Sequence, residues 1–197
     1  MSIVNKIKYG NTNTFLIRGS KANLLIDTDY AGTLSAFYKA IKNYEIKISD
    51  ITYVIATHYH PDHMGLISEL VNMGVKLILI DSQYEYTHFS DKIFERDNIR
   101  NYKPINEDNA IIIKCEDSRE FLNSIGISGE IIYTPSHSND SISIILDSKE
   151  CFVGDLEPSE NLITYENYIE LESDWKKIEK YNPKIIYYSH RNEKIIY

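Results

Sequence analysis

The chain has 197 residues, 43% of them hydrophobic and 25% charged, which suits one ordinary globular domain over 1–197. Its formal net charge of −8 argues against a nucleic-acid partner, because phosphate binding rests on lysine and arginine. No apolar run nears the roughly 18 residues that would cross a bilayer, Cys115 and Cys151 form no CxxC, and the start MSIVNKIKYG shows no apolar leader, so a cytoplasmic protein with no membrane partner and no disulfide framework is expected.

Apolar runs rich in Ile, Val and Tyr predict strands at 14–18 (TFLIR), 22–26 (ANLLI), 51–57 (ITYVIAT), 75–80 (VKLILI) and 110–114 (AIIIK). Further runs predict strands at 130–134 (EIIYT), 141–146 (SISIIL), 150–154 (ECFVG) and 184–188 (KIIYY). Helical spacing of apolar residues predicts helices over 31–43, 62–73 and 166–181. For the second of these, Pro61 suits the first helical position and Gly74 the stop. The polar, aromatic stretch 81–109 reads as a partly helical excursion over the surface. Strands alternating with helices imply a layered α/β domain.

The stretch THYHPDH, 57–63, holds three of the chain's six histidines: His58, His60 and His63, with Asp62 between the last two. While the backbone remains extended after the strand, His58 and His60 point to one side; Pro61 then opens a helix whose first turn carries Asp62 and His63. Four metal-competent side chains thus converge at the carboxyl end of one strand, where open α/β sheets commonly place their sites. Imidazole and carboxylate without cysteine suit zinc, with iron or manganese as alternatives. Three more donors follow apolar strand runs: His137 in TPSHS, Asp155 in FVGDL and His190 in YYSHR.

These motifs, together with NTFLI…NLLIDTD at 13–29, resemble the metallo-β-lactamase superfamily of dinuclear metallohydrolases. The resemblance implies a four-layer αββα sandwich with the site at one edge between two sheets. It implies that His58, His60 and His137 hold one metal, that Asp62, His63 and His190 hold the other, and that Asp155 bridges them. Asp27 would brace the metal loop. The function implied is hydrolysis of a small ester, thioester, lactone or phosphodiester by water activated at two zinc ions, with Asp62 orienting the water and passing its proton to the leaving group. An iron-dependent oxidoreductase using His58, His137 and Asp155, or a non-catalytic metal-containing sensor, are the competing readings.

The sequence departs from the family pattern at Ser136, Ser189 and Arg191, where glycine commonly flanks the third and last histidines. Arg191 could pair with a carboxylate or phosphate of a small-molecule substrate. Tyr84, Tyr86, His88 and Phe89 of the excursion could wall the pocket, a tyrosine hydroxyl serving as oxyanion donor; packing of these aromatics onto the body is the competing reading. Nothing in the pattern specifies an oligomeric state.

Overall fold

The structure, a computed structural model, describes residues 3–100 and 102–196; Met1, Ser2, Asn101 and Tyr197 lie outside the described residues, and with Asn101 goes one position of the predicted excursion. Strands β1 (Ile3–Lys8), β2 (Asn13–Arg18), β3 (Asn23–Ile26), β4 (Tyr53–Ile55), β5 (Lys76–Ile80) and β6 (Ile111–Ile113) form one sheet in chain order. It is antiparallel from β1 to β3 and parallel from β3 to β6. The second sheet has the order β11 (Lys194–Ile195), β10 (Ile185–Tyr187), β9 (Glu150–Phe152), β8 (Ile142–Leu146) and β7 (Gly129–Tyr133). Its β9–β10 pair is parallel and the rest antiparallel.

The two-residue alternation of strand side chains sorts the apolar residues into three layers. Phe15, Ile17, Leu24, Ile26, Ile78 and Ile80 of the first sheet meet Ile131, Ile142, Ile144, Leu146 and Phe152 of the second. Their neighbours Leu16, Leu25, Leu77 and Leu79 face outwards, onto α1 (Leu34–Lys42), α2 (Pro61–Met64), α3 (Ile67–Asn72) and α4 (Asp91–Arg96). On the far side Ile145, Cys151 and Ile186 pack against Leu171, Trp175 and Ile178 of α6 (Tyr168–Glu179). Helices, sheet, sheet and helix make the four-layer αββα sandwich that the sequence led us to expect.

Several elements differ from the sequence reading. The strand expected over 51–57 is paired only at Tyr53–Ile55. Thr57 leaves the ladder because its backbone is engaged elsewhere: its N–H donates to Asp27 Oδ1 at 2.6 Å and its carbonyl accepts from Ile142 N–H at 2.9 Å. The single helix expected over 62–73 is two short ones. Gly65 lies against the backbone of Tyr30 and Ala31, where a Cβ would stand 2.2 Å from Ala31 N. Leu66 N–H then donates to the Thr28 hydroxyl at 3.2 Å instead of continuing the helix. Strand β1 escaped the sequence reading because IVNKIK mixes polar and apolar residues, as suits an edge strand with only Ile7 fully buried. Helix α5 (Ser118–Ser124) was also missed; it is short and polar, and sends Leu122 into the inter-sheet layer.

Candidate metal centre

The site begins where two neighbouring parallel strands end. After β3 the backbone turns through Asp27, whose φ of 56° is left-handed, a conformation aspartate tolerates better than most residues. After β4 the chain bends at Thr57 and His58 instead of running on extended, His60 is again extended, and the His58 and His60 rings lie 4.5 Å apart between centroids. Tyr59 is buried, and its N–H donates to Asp140 Oδ2 at 2.6 Å. Extended His60 caps α2, with Pro61 in the first helical position, and Asp62 and His63 occupy the first turn. Beyond the other sheet's strands, His137 follows β7, Asp155 follows β9 and His190 follows β10.

The structure brings all seven expected donors together. His58, His60 and His137 each offer a ligand atom within 4.8 Å of the others', and so do Asp62, His63 and His190. His58, His63 and Asp155 form a third such group that joins the first two. Asp155 Oδ2 lies 3.3 Å from His63 Nε2, 3.8 Å from His137 Nε2 and 4.0 Å from His58 Nε2, while its Oδ1 lies 3.3 Å from His190 Nε2. His190 Nε2 is also 3.1 Å from Asp62 Oδ2. Asp155 therefore faces both histidine sets.

Buried His63 is fixed by Asp27. Its Nδ1 lies 3.0 Å from Asp27 Oδ2, and the same carboxylate accepts from Thr57 N–H, the Thr57 hydroxyl at 2.9 Å and the Ser189 hydroxyl at 3.0 Å. A proton held at Nδ1 leaves Nε2 aimed into the site, the arrangement ligand imidazoles require. Gly154 permits a close passage here, since with φ of 59° a Cβ would stand 2.5 Å from Thr57 Oγ1.

The electrostatics favour cations. Burial opposes charge on His63, but Asp27 and Asp155 outweigh it and raise its pKa to about 10. Hydrogen bonds to Asp155 and Asp62 likewise raise His190 to about 10. Burial alone would raise Asp62 and Asp155; the hydrogen bond with His190 and the charge of His63 reverse this and hold both below the usual carboxylate range. Burial, helped by neighbouring histidines, drives His58 well below its ordinary value and lowers His137. Carboxylates thus draw positive charge into the pocket, and a metal ion satisfies the same demand by displacing protons from imidazole. Nε2 of His58, Nε2 of His63 and Oδ1 of Asp155 are buried and make no well-aligned hydrogen bond among the described residues, their nearest polar neighbours being the other donors of the site. Such orphaned lone pairs are costly in a protein interior, and their convergence fits a metal.

Residues the sequence reading missed hold the ligand loops. Asp174 of α6, 1% exposed, accepts Ser136 N–H at 2.8 Å and so ties the loop before His137 to the helix. Asp140 fixes Tyr59, and Gln83 donates from Nε2 to the carbonyls of Ala56, Thr57 and Asp140. None belongs to a pattern visible in one sequence. Ser189 was visible only as a departure from glycine.

The expected substrate residues divide. Tyr84 is half exposed and His88 is held by Asp91 at 2.8 Å and Glu107 at 3.0 Å, so His88 braces the excursion. Neither lines the cavity of about 280 Å³ beside His60; Tyr59, Tyr86 and Phe89 do, with Ser138, Asn139 and Asp140. Arg191 shares a cavity of about 190 Å³ with His137, Asp155 and His190.

Comparison with known proteins agrees with this architecture. Residues 7–190 match the sequence profile described as the metallo-beta-lactamase superfamily. A protein of Methanocaldococcus jannaschii named as a probable metallo-hydrolase is 34% identical over 145 residues, 71% of this chain and 65% of that protein. An atrochrysone carboxyl ACP thioesterase of Aspergillus fumigatus is 26% identical over 150 residues, 73% of this chain and 29% of that protein. The chain therefore spans less than two thirds of either relative's length. A metallo-beta-lactamase family protein of Thermus thermophilus superposes with a TM-score of 0.69 at 15% identity, over 99% of this chain and 74% of that one, which speaks for the fold alone. Among the described residues no helix is long and apolar enough to cross a membrane.

Proposed function

The chain belongs to the metallo-beta-lactamase superfamily, and from that premise we propose that it is a dinuclear, zinc-dependent hydrolase of a small ester, thioester, lactone or phosphodiester. The observation that carries this reading is the convergence of seven His and Asp donors from four strand ends, with unpartnered donor atoms turned inward. Zinc is favoured because imidazole dominates the set. Cys151 is buried in the outer layer with α6, and Cys115 packs at the edge of the inter-sheet layer. The thioesterase and the metallo-hydrolase among its relatives support hydrolytic chemistry.

In this reading His58, His60 and His137 would hold one ion and Asp62, His63 and His190 the other, with Asp155 facing both sets. Ions held there would supply a lowered pKa for water, towards about 7, and polarisation of the substrate's carbonyl or phosphoryl oxygen. The chain's own residues do the rest. Asp27 keeps the His63 proton on Nδ1. Asp62 is the most open of the three site carboxylates, at 36% exposure against 18% for Asp155 and 0% for Asp27. It is the group placed to take a proton from water and hand it to the leaving group, and its backbone carbonyl, which accepts from the Thr12 hydroxyl at 2.7 Å, holds it in place. Tyr86 and Phe89 give the cavity beside His60 an aromatic wall.

The test is turnover of p-nitrophenyl esters, a thioester, a lactone and bis-p-nitrophenyl phosphate. At least one is expected to be cleaved, with loss of that activity on adding a chelator, its return with zinc, and its loss in His60→Ala. Cleavage that survives chelation and His60→Ala undiminished contradicts the proposal.

A further inference from the structure

Two cavities meet at His190 and Arg191. One, of about 190 Å³, contains Arg191 together with His137, Asp155 and His190. The other, of about 440 Å³, opens from His190 and Arg191 to Lys6, Lys8, Asn13 and Asn192. Among the described residues no carboxylate lines this second cavity and three cationic side chains do, whereas Asp155 and Glu157 line the first, in a chain whose net charge is −8.

The guanidinium is organised. Asn13 Nδ2 donates to the carbonyls of Tyr188 and Arg191, each at 2.9 Å, which fixes the backbone on both sides of His190. The Arg191 guanidinium lies 5.7 Å above the Tyr188 ring and meets one carboxylate, Glu157, at a loose 3.9 Å. Most of its donors are therefore uncommitted. Lys6 is neutralised by Glu193 at 2.8 Å, whereas Lys8 bonds the Asn11 carbonyl at 2.5 Å and has no ion pair among the described residues. Across the site, beside His60, the cavity walled by Tyr59, Tyr86 and Phe89 offers an aromatic surface instead.

We propose that Arg191 and Lys8 form an anion-binding subsite, so that the substrate carries a carboxylate or phosphate on the arm passing His190 and an apolar group on the arm towards Phe89. This rests on the hydrolase reading above and narrows its substrate class. A planar guanidinium grips either anion through paired hydrogen bonds, and a neighbouring ammonium adds charge. The chain's overall negative charge makes such a local cationic patch selective for where an anion docks.

The experiment compares two esters of equal acyl length on the metal-loaded protein: mono-p-nitrophenyl adipate, which ends in a carboxylate, and p-nitrophenyl hexanoate, which does not. Wild type is expected to favour the adipate ester roughly tenfold in kcat/KM, the difference residing in KM. Arg191→Ala should bring the ratio close to one, Lys8→Ala should lower it, and Arg191→Lys, which keeps the charge but not the paired hydrogen bonds, should retain only part of it. A wild-type ratio of one, or a ratio unchanged in Arg191→Ala, overturns the subsite and leaves the hydrolase reading standing. If neither ester is cleaved, calorimetry with adipate and inorganic phosphate reads the subsite directly. Binding weakened about tenfold in the Arg191→Ala/Lys8→Ala double variant supports it; equal binding, or none to wild type, overturns it. The tighter of the two anions distinguishes a carboxylate from a phosphate arm.

Discussion

Asp62→Asn is expected to lower kcat by roughly 10²–10⁴-fold, the range ascribed to one positioned proton carrier. The substitution keeps size and shape and removes the capacity to hold a proton. The hydrogen bond from the Thr12 hydroxyl to the Asp62 backbone carbonyl, 2.7 Å, is untouched, so the loop should stay folded. Asp62 is also one of the three donors assigned to the second ion, so the variant is assayed at saturating zinc with its metal content measured; with both ions present the loss should fall on kcat more than on KM. Thermal unfolding run in parallel separates a folded, slow variant from a misfolded one. A variant that stays folded and turns over within threefold of wild type would remove Asp62 from the proton path.

Asp27→Asn is the second large effect, and it falls on the scaffold. Asparagine tolerates the left-handed backbone at this position, where φ is 56°, so strain is not the issue. The carboxylate accepts from four donors: Thr57 N–H, the Thr57 and Ser189 hydroxyls, and His63 Nδ1. An amide offers one oxygen and turns an NH₂ group towards at least one of those donors, leaving it buried and unpaired. Breaking one side of a buried charge pair costs roughly 3 kcal/mol or more, which in a chain of this size lowers Tm by roughly 6–12 °C. With His63 no longer fixed, metal affinity should fall about 10–100-fold. Differential scanning calorimetry and metal titration read the two effects separately; an unchanged Tm together with unchanged metal affinity would show that Asp27 does not brace the site.

The convergence of the seven candidate donors was legible because such donors stand at strand ends, and both features are local in sequence. THYHPDH carries much of its own geometry: Pro61 starts the turn that lifts Asp62 and His63 beside His58 and His60, although a bend at Thr57 and His58, and not continuous extended backbone, brings those two rings to 4.5 Å. His137, Asp155 and His190 each follow an apolar run that proved to be a strand. The layering was legible for a similar reason, since β2, β3 and β5 are apolar on both faces and so must be covered on both sides. What stayed hidden was everything set by tertiary contact. The break between α2 and α3 depends on Gly65 meeting Ala31 and on Leu66 turning to Thr28, both distant in sequence. Asp174, Asp140 and Gln83 are ordinary polar residues until the fold buries them against the ligand loops. The helical phase of the excursion decides which of its aromatics face inward: Tyr86 and Phe89 line the cavity beside His60, while His88 pairs with Asp91 and Glu107.

Elemental analysis of the purified chain after exhaustive dialysis tests the central claim most directly. About two zinc ions per chain are expected, from a site with two histidine sets and a shared carboxylate. A folded protein that retains no transition metal, or one that retains a single iron, would contradict it.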